Sequence, residues 1–197
     1  MDVRPVTTRK EREAVYRFRY DIYVALEGRT QKHVDHRRGM VEEPLDRQGV
    51  ILAAFDGERV VGTQRTNFRG LGSLDYYDSL YGIDKLPKRD QARVSITTKL
   101  MVDPDYRGSS MALRLAKLAY RTGLEAGTRW DFIDSRAHTL PYFNRLGYRV
   151  LDTQLDHPEY GMATLLKLDI HDLTHFEEVS SPFCSLLEAK LQAQLVA

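Results

Sequence analysis

Leu100-Met101-Val102-Asp103-Pro104-Asp105-Tyr106-Arg107-Gly108-Ser109-Ser110-Met111-Ala112 is the stretch on which the fold turns. A β-branched run, Val94 to Val102, leads into it as a long strand, and Pro104 ends that strand. Small residues then turn the chain, and Ser109 or Ser110 starts a helix to about Ala126, with Met111, Leu115, Leu118, Ala119 and Thr122 as its buried stripe and Gly127 as its C-cap. Backbone N–H groups at such a helix start, added to the helix dipole, make an anion site. Gly108 and the two serines allow close approach, and Arg107 adds a charge-assisted contact. The matching guest is a pyrophosphate or phosphopantetheine group. The other reading of the same residues is an ordinary strand–helix turn with a serine N-cap.

Outward from this stretch the elements alternate. Val3–Val6 is a strand candidate. Thr7 or Thr8 caps a helix to about Leu26 that carries Val15, Phe18, Ile22 and Leu26 on one face, and Gly28 ends it. Residues 29–48 are polar and read as a loop or irregular helix. Val50–Phe55 and Arg59–Thr66 are strands joined by Asp56-Gly57, a strong hairpin signal. Residues 70–92 form an excursion with Tyr76, Tyr77 and Tyr81. Trp130–Asp134 is a strand, Leu140–Leu146 a short helix ended by Gly147, and Tyr148–Leu151 and Met162–Leu168 the last strands. Ser181-Pro182 caps a tail helix with Phe183, Leu186, Leu187, Leu191 and Leu195 on one side. Strands and helices in this order give an α/β or α+β sheet domain with helices on both faces. With no repeat or linker in 197 residues, one domain over 1–197 is expected, residues 170–197 being a helical tail.

Composition narrows the function. Lys and Arg number 29 against 28 Asp and Glu, a net charge of +1, which argues against binding nucleic acid by bulk charge. One cysteine, Cys184, excludes a disulfide framework and a multi-cysteine metal cluster. The six histidines show no metal-binding spacing such as H-E-x-x-H, so no metal is expected. Met1–Pro5 has no apolar signal region and no apolar run approaches the length of a membrane span, so a cytoplasmic protein is expected. Within the neutral total, 21 of the basic residues are Arg and 8 are Lys. Arg is the better bidentate partner for carboxylate and phosphate.

Residues 100–112 resemble the acyl-CoA-binding motif of the GCN5-related N-acyltransferase superfamily, R/Q-x-x-G-x-G/A after a strand ending in L-x-V-x-P, with Ser110 standing for the first motif glycine. Tyr142-Phe143-Asn144-Arg145-Leu146-Gly147-Tyr148 resembles that superfamily's closing segment. The resemblance implies a mixed central sheet splayed between the fourth strand (94–102) and the fifth (130–134). It implies pantetheine on the backbone of Leu100, Met101 and Val102, and pyrophosphate on the loop of Arg107, Gly108, Ser109, Ser110, Met111 and Ala112. The donor is then an acyl-CoA or an acyl carrier protein thioester. Phe143 stands where many members carry a tyrosine acid.

A narrower resemblance lies in the N-terminal half. Arg17–Val24 with Glu27-Gly28 is similar to the first helix of the N-acyl amino acid synthases and, more distantly, of the acyl-homoserine-lactone synthases. Arg19 and Tyr23 match the Arg-to-aromatic spacing of the lactone synthases. Glu43-Pro44-Leu45-Asp46 keeps their D-x-x-D spacing, and Gly62-Thr63-Gln64-Arg65 their G-x-x-R. Their E-x-x-R is not kept, since Ile96 and Lys99 occupy those places, which counts against an S-adenosylmethionine-using lactone synthase. His157-Pro158-Glu159-Tyr160-Gly161 and Ser180-Ser181-Pro182-Phe183 are also similar to the N-acyl amino acid synthases.

The expected activity is therefore transfer of an acyl group, long-chain by the narrower resemblance, to the amine of an amino acid or similar small amine. Alternatives are an acetyl-CoA-dependent N-acetyltransferase and a non-catalytic acyl-ligand-binding module. His138, at the end of the fifth strand, is the candidate neutral base or a surface histidine. Asp46 and Glu43 are candidate bases or a clamp for the amine, or part of a solvated loop. Arg19 and Arg65, with Tyr23, are candidates to hold the acceptor's polar end, or structural ion-pair partners of Glu43 and Asp46. Arg114, Lys117 and Arg121 would suit an acidic carrier protein. Phe183 and Leu187 wall an acyl channel or simply pack.

Overall fold

The apolar run of the fourth expected strand pattern and its neighbours explains the central sheet of the computed structural model, which describes residues 1–159 and 161–196, the side chains of 152–154 and 196 apart; Tyr160, in the segment likened above to N-acyl amino acid synthases, lies outside these residues. The strands are β1 (Asp2–Pro5), β2 (Val34–Asp35), β3 (Met40–Val41), β4 (Val50–Asp56), β5 (Arg59–Phe68), β6 (Val94–Val102), β7 (Trp130–Ser135), β8 (Arg149–His157) and β9 (Gly161–Asp169). The helices are α1 (Arg9–Tyr20), α2 (Tyr77–Leu80), α3 (Lys88–Gln91), α4 (Met111–Glu125), α5 (Leu140–Leu146), α6 (Leu173–Glu178) and α7 (Cys184–Val196). The order β1-β4-β5-β6-β7-β9-β8 makes a mixed, mostly antiparallel α/β sheet, and β2 pairs with β3. The fourth and fifth strands of the sequence reading are β6 and β7. They pair in parallel over Val94–Ile96 only, ending at Ile96 opposite Phe132, and β6 runs on to Val102.

The chain divides into two compact units, residues 1–67 with 97–119 and residues 68–96 with 120–197, and β6 and α4 each contribute to both. In the first, the continuous apolar run of β4 is buried on both faces, as a covered strand requires. Ile51, Ala53 and Phe55 pack with Val15, Phe18 and Ile22 of the first helix. Leu52 and Ala54 pack with Met111, Leu115 and Ala119 of α4. Gly62 of β5 makes room for that helix, because a Cβ there would stand 3.2 Å from Leu115. Thr8 caps α1 through a reciprocal pair with Glu11.

Leu26 departs from the expected stripe and is 54% exposed. After Tyr20 the helix widens into a π-turn over Asp21–Leu26, with Glu27 N–H donating to Ile22 C=O, and the changed phase carries Leu26 away from the core. Residues 29–48, expected as loop or irregular helix, contain β2, β3 and a 3-10 turn at Pro44–Asp46, because Met40 and Val41 are buried.

In the second unit, Tyr120 stacks on Phe183 with centroids 4.3 Å apart, and Phe176 meets both rings edge-on. Ser181 accepts the N–H of Phe183 and donates to Leu146 C=O, which fixes the start of the tail. Phe183 and Leu187 are buried, whereas Leu191 and Leu195 of the expected apolar side are exposed. The short helix α6 had no clear periodic signal in the sequence. Among the described residues no helix is long and apolar enough to cross a membrane.

Candidate functional site

In the first unit, five charged side chains far apart in sequence meet and are nearly removed from water. Arg19 comes from α1, Glu43 and Asp46 from the 3-10 turn, Arg65 from β5 and Lys99 from β6. Arg19 Nη1 donates to both Asp46 oxygens at 2.8 Å. Arg65 Nη1 reaches Glu43 Oε2 at 2.8 Å and Asp46 Oδ1 at 3.1 Å. Lys99 Nζ lies 2.5 Å from Glu43 Oε1. Asp46 also accepts the N–H of Glu43, which locks the E-P-L-D turn. The Tyr23 ring lies 5.3 Å from Lys99 Nζ and 5.2 Å from the Arg29 guanidinium, both cation–π distances.

Burial raises the Glu43 carboxyl, but Lys99 and Arg65 outweigh it and bring it down to about 2. Burial likewise opposes the Asp46 charge, and Arg19 and Arg65 override it, leaving that carboxyl below its ordinary value. Two carboxylates held ionised in this way stabilise the cations around them and are poor proton acceptors at neutral pH. Arg19 and Arg65 have no exposed surface, and the ion-pair arrangement is the one present. Nε and Nη2 of Arg19 are nevertheless buried without a hydrogen-bond partner among the described residues.

The sequence brought Arg19, Tyr23, Glu43, Asp46 and Arg65 to one place by motif spacing. It does not bring in Lys99, which stands where the E-x-x-R pattern of the lactone synthases has its arginine. The left-handed backbone of Lys99, φ +59, lies within β6 and is not readable from composition.

The loop after β6 keeps the expected form. Asp103 accepts the N–H of Asp105 and pairs with Arg59 at 2.5 Å, which anchors the turn at the strand's end. Gly108 takes φ +77, and Arg107, Gly108, Ser109 and Ser110 are exposed. Ser109 is the capping residue, since its Oγ accepts the N–H of Met111 and donates to Tyr106 C=O. The amides of Gly108 and Ser110 have no protein acceptor among the described residues. On β6, Met101 is buried and Leu100 and Val102 are half-buried, while Ala112 sits half-buried in the first turn of α4.

In the second unit, His138 is exposed on a 3-10 turn, Ala137–Thr139, and no hydrogen bond joins it to another described residue. Phe143 packs edge-on to Tyr142 and Tyr148, and the hydroxyl of Tyr142 is buried without a partner among the described residues.

Comparison with known proteins places the chain in a family and shows its fold. The sequence model of the N-acyl amino acid synthase FeeM family matches residues 14–169. No curated protein matches the chain in sequence. Among solved structures, the CoA-dependent acyl-homoserine lactone synthase BjaI is 19% identical with a TM-score of 0.70, over 91% of this chain and 90% of that one. The CoA-dependent acyl-homoserine lactone synthase MesI is 23% identical with a TM-score of 0.68, over 90% and 93%. FeeM, an N-acyl amino acid synthase from uncultured soil microbes, is 15% identical with a TM-score of 0.69, over 94% and 97%. These likenesses show a common fold, and the family match covers well over half of the chain, so the chain belongs to the N-acyl amino acid synthase family and is an N-acyltransferase, an enzyme that moves an acyl group onto an amine.

Proposed function

We propose that the enzyme transfers a long acyl chain from a phosphopantetheine thioester to the amine of an amino acid or similar small amine, and that residues 1–197 work as one cytoplasmic acyltransferase domain. The observation that carries the donor assignment is the loop after β6, where Gly108 takes φ +77 and the amides of Gly108 and Ser110, next to Arg107, have no protein acceptor among the described residues. Such amides at a helix start bind phosphate oxygens through hydrogen bonds and the helix dipole. The backbone of Leu100, Met101 and Val102 would take the pantetheine, and Arg107 through Ala112 the phosphates. BjaI and MesI are described as CoA-dependent, which supports a CoA donor; an acyl carrier protein would dock on Arg114, Lys117 and Arg121.

The acceptor assignment rests on the cluster. Arg19, Arg65 and Lys99 form a positive region that suits a carboxylate, and Glu43 and Asp46 hold those cations in place rather than acting as bases. The unpaired donors of Arg19 are the capacity left for it.

The test is turnover of purified protein with acetyl-CoA, long-chain acyl-CoA and long-chain acyl carrier protein against a panel of amino acids, read by mass spectrometry. A long-chain N-acyl amino acid is the expected product. Turnover confined to acetyl-CoA would replace this reading by a short-chain acetyltransferase.

A further inference from the structure

The loop after β6 has two halves, both in the first unit. Residues 107–110 contain Gly108 at φ +77 and the two amides that have no protein acceptor among the described residues. Residues 103–106 are tied to the β4–β5 hairpin. Asp56 and Arg59 flank the hairpin turn and are partners in register, which sends their side chains out on one face of the sheet. Arg59 Nη2 lies 2.5 Å from Asp103 Oδ2, and the Asp103 N–H donates to Val61 C=O at 2.9 Å. The Tyr106 ring packs against Leu52, Ala54, Val61 and Met111, and its hydroxyl donates to Asp56 Oδ2 at 2.5 Å. The hairpin therefore holds this half of the loop at both ends.

Tyr106 passes the hold on to the other half. Its C=O accepts the hydroxyl of Ser109 at 2.6 Å and the N–H of Ser109 at 3.3 Å. Ser109 Oγ accepts the N–H of Met111, the first residue of α4, at 3.2 Å. One line of hydrogen bonds thus runs from Asp56 through Tyr106 and Ser109 to Met111. Gly108 and Ser110, whose amides are the phosphate donors, sit on either side of Ser109 within it. The hydrogen bond to Asp56 raises the Tyr106 phenol above its ordinary value, so it stays a donor at neutral pH. A carboxylate is a poor neighbour for phosphate, because like charges repel. The place of Asp56 beside this loop is accounted for by the phenol it holds.

We propose that Tyr106 and Asp56 are positioning residues for the acyl donor. Their hydroxyl–carboxylate bond keeps the amides of Gly108 and Ser110 in the arrangement that receives phosphate, so the donor binds without first ordering the loop. The hairpin turn, which contributes no residue to the donor motif, thereby sets donor affinity. This rests on the phosphate-binding role of the loop and is independent of acyl chain length.

The test is steady-state kinetics of the full chain with the acyl-CoA and amino acid it turns over, and with the same acyl group on N-acetylcysteamine, which carries no phosphate. Tyr106→Phe removes the hydroxyl and keeps the ring. It is expected to raise KM for acyl-CoA about 5-fold with kcat unchanged, and to leave the N-acetylcysteamine donor at its wild-type rate. Asp56→Ala should match it. Asp56→Asn keeps an oxygen for the hydroxyl and should recover most of the affinity. The double variant Tyr106→Phe with Asp56→Ala should be no worse than either alone, because both remove the same bond. An equal loss with both donors, or an acyl-CoA KM unchanged in Tyr106→Phe, would overturn the proposal. Arg107→Ala separates the proposal from the reading it rests on. If Arg107→Ala raises the acyl-CoA KM and Tyr106→Phe does not, the positioning role alone is wrong. If neither variant changes it, the phosphate reading falls and the positioning role with it.

Discussion

Lys99 places its Nζ 2.5 Å from Oε1 of Glu43 while its own backbone sits in the left-handed region at φ +59. A lysine there costs about 1–2 kcal/mol more than a right-handed or extended residue. The buried pair offsets that strain only while both partners are present. Removing one member of a buried ion pair leaves a charge without compensation, at about 3–5 kcal/mol. Lys99→Met and Glu43→Gln should each lower stability by roughly that amount in urea unfolding. The double variant should recover part of the loss, because two residues in contact do not add. Strict additivity would show that the pair is not coupled.

Glu43 also sets a limit on acid stability. Its folded carboxyl is depressed to about 2, against an ordinary unfolded value near 4.5. A depressed carboxyl contributes stability that is fully present above the unfolded value and is lost as pH falls through the folded one. The loss should therefore run from about pH 4.5 to about pH 2, on the order of 3 kcal/mol at about 1.4 kcal/mol per pKa unit. Asp46 is shifted the same way and adds to the same limb. Urea midpoints over this window check it, and Glu43→Gln should flatten the curve.

Arg107 is exposed beside the amides of Gly108 and Ser110. If it holds phosphate, Arg107→Ala should raise KM for acyl-CoA about 10-fold and leave kcat unchanged, since a charge-assisted hydrogen bond is worth about 1.5–3 kcal/mol and exposure reduces it. An acyl-N-acetylcysteamine donor carries no phosphate and should be indifferent to the substitution. Equal effects on both donors would place Arg107 elsewhere in the chemistry.

How far the sequence shows these features depends on the range of the interactions. The β4–β5 hairpin, the Thr8 cap and the strand–loop–helix at 94–126 are governed by local chemistry, and all three are present. Arg19, Glu43, Asp46 and Arg65 were legible by motif spacing, but their mutual pairing depends on three separate elements. Lys99 was hidden because its role follows from a backbone irregularity inside a regular strand pattern. The contact of Asp56 with Tyr106 was hidden for another reason. The two are 50 positions apart, on the β4–β5 hairpin and the loop after β6, and no short motif joins them. Leu26 and Leu191 look like core by periodicity and are exposed; for Leu26 the π-turn changes the phase of the helix.

Phe183 separates two roles for the tail. It is 2% exposed, stacks on Tyr120 at 4.3 Å and meets Phe176 edge-on. Tyr120 in turn donates to Ile170 C=O at 2.7 Å, so the ring pair fastens α4 to the segment after β9. A side chain so enclosed acts on stability before it acts on a ligand. Phe183→Ala should cost about 3–5 kcal/mol, the range for emptying a packed aromatic site. The ratio of rates with long and short acyl donors, measured at a temperature where the variant stays folded, should not change. A shift of that ratio toward longer or shorter chains would mean that Phe183 lines the acyl channel, because a wall residue alters the space offered to the chain whereas a core residue alters only how long the fold persists.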